Sequence, residues 1–121
     1  MQTDLRERTK RFALSVMAEI DAMSSGPKQW VLGKQLLKSS TSIGASYREA
    51  CRAESRADFI HKIAVAEKEA DETCYWLELL SDSDTLPAER LQPLLKEANE
   101  LLAILVASGR TARSNGSPRK N

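Results

Sequence analysis

The sequence predicts an all-α protein, an up-down-up-down four-helix bundle, and three observations lead there. The 121-residue chain is 41% hydrophobic with 5 Gly and 4 Pro, and Leu, Ala, Glu, Lys and Arg dominate it, a composition that favours helix. Apolar residues recur at helical spacing in four stretches joined by short turn signals. The stretch from Asp58 to Leu80 carries two apolar lines: Phe59, Ile63, Ala66, Ala70, Cys74 and Leu77 share one narrow face, while Val65, Trp76, Leu79 and Leu80 follow another flank. A helix that is apolar on two sides needs more neighbours than a single hairpin partner supplies. One domain of this length buries roughly two-thirds of its unfolded-chain surface.

The first helix is expected over about 4–23, with Thr3 as N-cap, Asp4 and Glu7 in the first turn, and Leu5, Phe12, Val16, Ile20 and Met23 as its core stripe. Ser24-Ser25-Gly26-Pro27 should stop it, Gly26 suiting a left-handed C-cap. The second helix is expected over about 28–53, with Leu32, Leu36, Ile43, Tyr47 and Ala50 on one face. Gly33, Ser40, Gly44 and Cys51 lie beside them, and so small a flank reads as a tight packing seam. A phosphate loop is the competing reading, but Gly26-Pro27-Lys28 lacks both the upstream glycine and the Ser or Thr after the lysine.

The third helix is expected over about 56–81, with Ser55 as N-cap and Asp58 completing a variant capping box. Asp82 to Thr85 reads as a turn. The fourth helix is expected over about 87–109 on Leu91, Leu94, Leu95, Ala98, Leu101, Leu102 and Leu105, with a kink or a separate first turn at Pro93. The bundle would thus occupy 1–109. Residues 110–121, with four positive charges, no acid and no large apolar side chain, read as a disordered basic tail.

Charge is informative by distribution. Eighteen basic and seventeen acidic residues nearly cancel, so no bulk attraction to nucleic acid or membrane exists. Yet Lys34, Lys38, Arg48, Arg52 and Arg56 fall within about 80° of one another if the phase of the second helix persists that far. Arg6, Arg8, Lys10 and Arg11 add positive charge on the first helix, and the third helix is mainly acidic. No apolar run approaches the ~20 residues that span a bilayer, and the charged amino-terminal segment lacks a signal-peptide core, so a cytoplasmic protein is expected. Cys51 and Cys74 read as small buried hydrophobes in a reducing compartment.

The run Gln35-Leu36-Leu37-Lys38-Ser39-Ser40-Thr41-Ser42-Ile43-Gly44-Ala45, then Tyr47-Arg48-Glu49-Ala50, Asp58-Phe59-Ile60-His61-Lys62-Ile63-Ala64-Val65-Ala66, Lys68 to Thr73 and Tyr75 to Leu80 resembles the small proteins encoded within 23S ribosomal RNA intervening sequences. The resemblance is strong over the second and third helices and holds by pattern over the other two. It implies a four-helix bundle assembled as a homopentamer, with no enzyme activity and no cofactor. It also implies kinship with the accessory variability proteins of diversity-generating retroelements, similar basic pentamers that bind nucleic acid and a reverse transcriptase. Ser46 and Ala50 stand where many members carry Asn and Gly, so no role of that amide carries over, and the net charge is well below that of the basic cousins.

Catalytic chemistry finds little support. Asp58-x-x-His61 has the spacing of a di-iron bundle motif, but that chemistry needs a second such motif and this chain has one histidine. Glu67 with Asp71 and Glu69 with Glu72 are helical neighbours that read as solvated or interface charges, and neither cysteine has an evident Cys–His arrangement. No metal or cofactor is expected. Three readings of the basic stripe stay open: a solvated face; an assembly surface meeting the flank of Val65, Glu69, Glu72, Trp76, Leu79 and Leu80 on a neighbouring copy; or a phosphate-binding surface of Lys34, Lys38, Arg48, Arg52 and Arg56 with Arg6, Arg8, Lys10 and Arg11. The expected role is a non-catalytic oligomeric module that binds structured RNA or a nucleoprotein, as the resemblance implies. The alternative is a structural or protein-interaction bundle without a nucleic-acid role. The stripe shows no aromatic interleaving for base stacking.

Overall fold

The computed structural model of the protein describes residues 4–116 and contains four helices: α1 Leu5–Ala22, α2 Pro27–Cys51, α3 Arg56–Asp82 and α4 Ala88–Gly116. Short connections force each helix antiparallel to the one before it, the up-down-up-down order expected. α3 packs most extensively, against α2 on one side and α4 on the other, while α1 touches α4 only sparsely. This explains the two apolar lines of α3 in part. Ile63, Ala66, Ala70, Cys74 and Leu77 lie in the core as their spacing predicts, and Leu80 joins them fully buried. Leu80 therefore belongs to the bundle interior and corrects its assignment to an outer assembly flank.

Asp4, rather than Thr3, caps α1, because its carboxylate accepts the Arg6 backbone N–H at 3.0 Å; Thr3 lies outside the described residues. That backbone bond is the main reason the Asp4 carboxyl titrates below its usual range. α1 ends at an extended Met23, so Gly26 is not its C-cap. Instead Gly26, at φ 155°, is the N-cap of α2, and Pro27 opens that helix, where a missing N–H costs nothing. Ser55 Oγ caps α3 through the Asp58 N–H at 3.1 Å, and Asp58 reaches back to the Glu54 N–H at 3.4 Å.

α2 and α1 cross tightly at two small residues. A Cβ on Gly44 would stand 3.0 Å from Thr9 Oγ1, and one on Gly33 would stand 2.8 Å from Met23 Cε. On the flank of α2 that faces α3, Ser39 is buried and returns its hydroxyl to the Leu36 carbonyl, while Ser40, buried one turn before Gly44, returns its own to the Leu37 carbonyl. Ser39 also meets Thr73 of α3 at 2.9 Å inside the α2/α3 contact. The serine-rich run of α2 is thus a packing seam on both sides.

α4 departs from expectation at both ends. It runs unbroken through Pro93, so no separate first turn forms. It also continues to Gly116, which corrects the disordered assignment for residues 110–116; residues 117–121 lie outside the described part. The physical reason lies in the neighbouring helix. Arg56 Nη1 donates to the Ala112 carbonyl at 3.5 Å, and Phe59, Ile104 and Ala112 line a common hollow, so the last turns rest against α3.

Candidate nucleic-acid interface

Lys34, Lys38, Arg48 and Arg52 all stand exposed on the outer side of α2, as their spacing predicts. Arg56 does not continue the line. α2 ends at Cys51, the chain turns, and Arg56 becomes the first residue of α3, with its guanidinium on the α4 backbone. The helical phase that would have aligned it breaks at that turn.

The α1 cations divide by face. Arg6 and Lys10, one helical turn apart, look toward α2, whereas Arg8 and Arg11 look toward α4. Arg8 is held there: its Nε and Nη2 grip Glu97 at 2.6 and 2.8 Å, and Nη2 also reaches Glu100 at 2.7 Å. These carboxylates push the Arg8 pKa still higher, Glu97 foremost. A guanidinium so occupied is withdrawn from any phosphate surface, which corrects its place in the basic set. At the other end of the α1/α4 seam, Arg90 pairs with Glu19 at 2.9 Å.

What the fold does bring together is Arg6 and Lys10 from α1 with Arg48 from α2. They line one open hollow of about 410 Å³ whose floor is Thr9, Ala13, Gly44 and Ala45, with Thr41 beside it. The tight Gly44–Thr9 crossing sets the two backbones close enough for three cations to converge. A second hollow shares Arg6 and Arg48 and adds Arg52, but it also holds Asp4, Glu7 and Glu49, so its field is mixed. Of these cations, Arg6 has a loose partner in Asp4 at 3.5 Å. Exposed pairs of that kind contribute little and compete poorly with a multivalent anion.

Two residues unassigned by sequence reasoning sit on the same edge of α2. Trp30 is 66% exposed, and Lys34 Nζ lies 5.0 Å from its ring centroid, a cation–π contact. Thr41 is spent on the Leu37 and Lys38 carbonyls. Trp30 stands four residues before Lys34, so the spacing held the signal, and the basic stripe does carry an aromatic group.

The α3 flank is mixed. Val65, Glu69, Glu72, Trp76 and Leu79 are half-buried, and Trp76 packs against the core with Tyr75 edge-on at 5.0 Å. Trp76 Nε1 is shielded yet has no acceptor. Cys74 is buried, as expected, and burial pushes its thiol up to about 11. Cys51 is exposed at the end of α2, which corrects the expectation that both are core residues. Its neighbour Tyr47 is pushed up to about 12, first by burial and then by the hydrogen bond to Cys51. His61 is exposed. Among the described residues no cluster of three metal-ligating side chains exists, and no helix is long and apolar enough to cross a membrane.

The model of the 23S rRNA-intervening sequence protein family matches residues 1–107. A crystal structure of a protein of unknown function from the S23 ribosomal protein family of Bacteroides thetaiotaomicron superposes with a TM-score of 0.82 at 36% identity, over 88% of this chain and 99% of that one. No curated protein matches. The chain belongs to the 23S rRNA-intervening sequence protein family.

Proposed function

We propose that this family member is a non-catalytic, self-assembling bundle whose outer α1/α2 face binds the phosphates of structured RNA or of a nucleoprotein. The observation that carries the reading is the convergence of Arg6, Lys10 and Arg48, from two helices, on one hollow lined by no carboxylate. Each cation alone binds phosphate weakly. Repeated around a homopentamer, as the resemblance implies, several such hollows of a cytoplasmic protein act on one polyanion through effective concentration. Kinship with the retroelement accessory proteins is part of this proposal. For assembly, the half-buried flank of Val65, Glu69, Glu72, Trp76 and Leu79 is the surface that would meet a neighbouring copy.

Binding of nucleic-acid-free protein to structured ribosomal RNA fragments across a salt series, with mass recorded in the same samples, tests both halves. The expected result is affinity that falls steeply with salt, and its loss in an Arg48→Glu, Arg52→Glu variant of unchanged helicity and mass. Equal affinity in that variant refutes the face. Trp76→Glu should lower the assembled mass, and an unchanged mass refutes the α3 flank as the interface.

A further inference from the structure

The edge of α2 that faces α1 carries more than charge. Trp30, Lys34, Leu37, Thr41 and Arg48 succeed one another along it at helical spacing, over about 27 Å at 1.5 Å per residue. Two hollows border this edge. The basic one lies at the Arg48 end. At the other end a hollow of about 510 Å³ is walled by Ile20, Met23, Gly33 and Leu37, with Trp30 and Lys34 at its rim. Neither is lined by a carboxylate. An exposed tryptophan over an apolar hollow, with cations beside it and further along, has the two elements that single-stranded nucleic acid engages: an aromatic face for a base and a positive track for the backbone.

We infer that Trp30 is a stacking platform for an unpaired base of single-stranded RNA, whose adjoining phosphates run along Lys34 and Lys38 toward Arg6, Lys10 and Arg48. This rests on the phosphate-binding reading of the same face and deepens it. An unpaired segment rather than a duplex is the occupant, because a base stacked on Trp30 must leave its own helix. Lys34 lies over the Trp30 ring in the free protein, at 5.0 Å. It is therefore already placed beside the base it would accompany, where its ammonium can turn to the phosphate. Charge complementarity, not shape alone, selects the ligand: an apolar peptide would leave the cations of this edge unanswered.

The test uses the full-length chain, whose two tryptophans are Trp30 and Trp76, and the emission lost in Trp30→Phe identifies the part that reports Trp30. The probes are a single-stranded adenylate oligonucleotide of about 12 nucleotides, an RNA duplex of the same length, and inorganic polyphosphate. The single strand should quench Trp30, and the other two should bind without quenching. Trp30→Ala should weaken single-strand binding by about fivefold to a hundredfold and leave polyphosphate affinity unchanged, and Trp30→Phe should restore most of the loss. Arg48→Glu should weaken all three probes alike. If Trp30→Ala binds the single strand as well as the parent while Arg48→Glu does not, the stacking platform is refuted and the phosphate face stands. If no probe binds at low salt, both fall. If Trp30→Ala changes the assembled mass, Trp30 is a subunit contact and the inference is overturned.

Discussion

Arg8 of α1 grips Glu97 of α4 through two parallel bonds of 2.6 and 2.8 Å, across the sparsest interface in the bundle. A bidentate, half-shielded guanidinium–carboxylate pair is among the stronger polar contacts a protein makes, and here it spans a seam with little apolar packing of its own. Arg8→Met should cost about 1–2 kcal/mol, read as a lower urea midpoint. Arg8→Met should also leave polyanion binding unchanged once stability is allowed for, since this guanidinium is turned away from the α1/α2 face. A full loss of RNA affinity on Arg8→Met, in folded protein, would return it to the binding set.

Gly44 sets the depth of the α1/α2 crossing. Alanine there would improve helix propensity by up to about 1 kcal/mol, but its methyl would press on Thr9 Oγ1 at 3.0 Å and Thr9 Cβ at 3.3 Å. Thr9 is buried and its hydroxyl is held by the Arg6 carbonyl at 3.1 Å, so it has little room to yield. Gly44→Ala should therefore destabilise by about 1 kcal/mol or more, and adding Thr9→Ala should recover part of it. Thermal melts of the four proteins in that cycle decide the matter; additive losses would mean the crossing is not the cause.

The α3–α4 turn ends α3 in a Schellman arrangement: Thr85 N–H reaches the Leu80 carbonyl at 3.0 Å and Asp84 N–H reaches that of Ser81 at 3.1 Å. Asp84 takes the left-handed position at φ 57°. Asp84→Gly should raise the melting temperature, by a stability gain of up to about 1 kcal/mol. A fall would show that the Asp84 side chain does something that glycine cannot replace.

The two thiols should behave differently. A disulfide reagent at pH 8 should titrate one thiol per native chain, Cys51, and both after denaturation, because Cys74 is 4% exposed and holds its proton up to about 11. The sign of the linkage follows. Unfolded Cys74 ionises near the ordinary thiol value of 9.0, whereas folded Cys74 stays neutral to about 11, so its contribution is complete below pH 9 and declines between those values. Cys74→Ala should flatten the stability-versus-pH curve there; an unchanged slope would refute the assignment.

The amino-acid sequence by itself determined the helices, their order and the core. Periodicity assigns residues such as Leu36, Ile63, Leu77 and Leu101 to the interior without reference to any partner, because a helix fixes which residues share its face. The Ser55–Asp58 cap was legible for the same reason, since its partners lie three residues apart. Helix ends were less so: α4 outruns its apolar pattern because α3 supports its last turns, and that support is not local.

Only the tertiary structure decided which charges are available. Arg8 and Lys10 are neighbours in sequence, yet α4 answers the first with Glu97 and Glu100 while the second faces the hollow shared with Arg48. Leu80 and Trp76 lay on one predicted flank, but the packing of α3 buries the first completely and leaves the second at the margin. A side chain's angle on its own helix is a local property. What that angle meets depends on the rotation and approach of the next helix, which close contacts such as Gly44 on Thr9 set at long range.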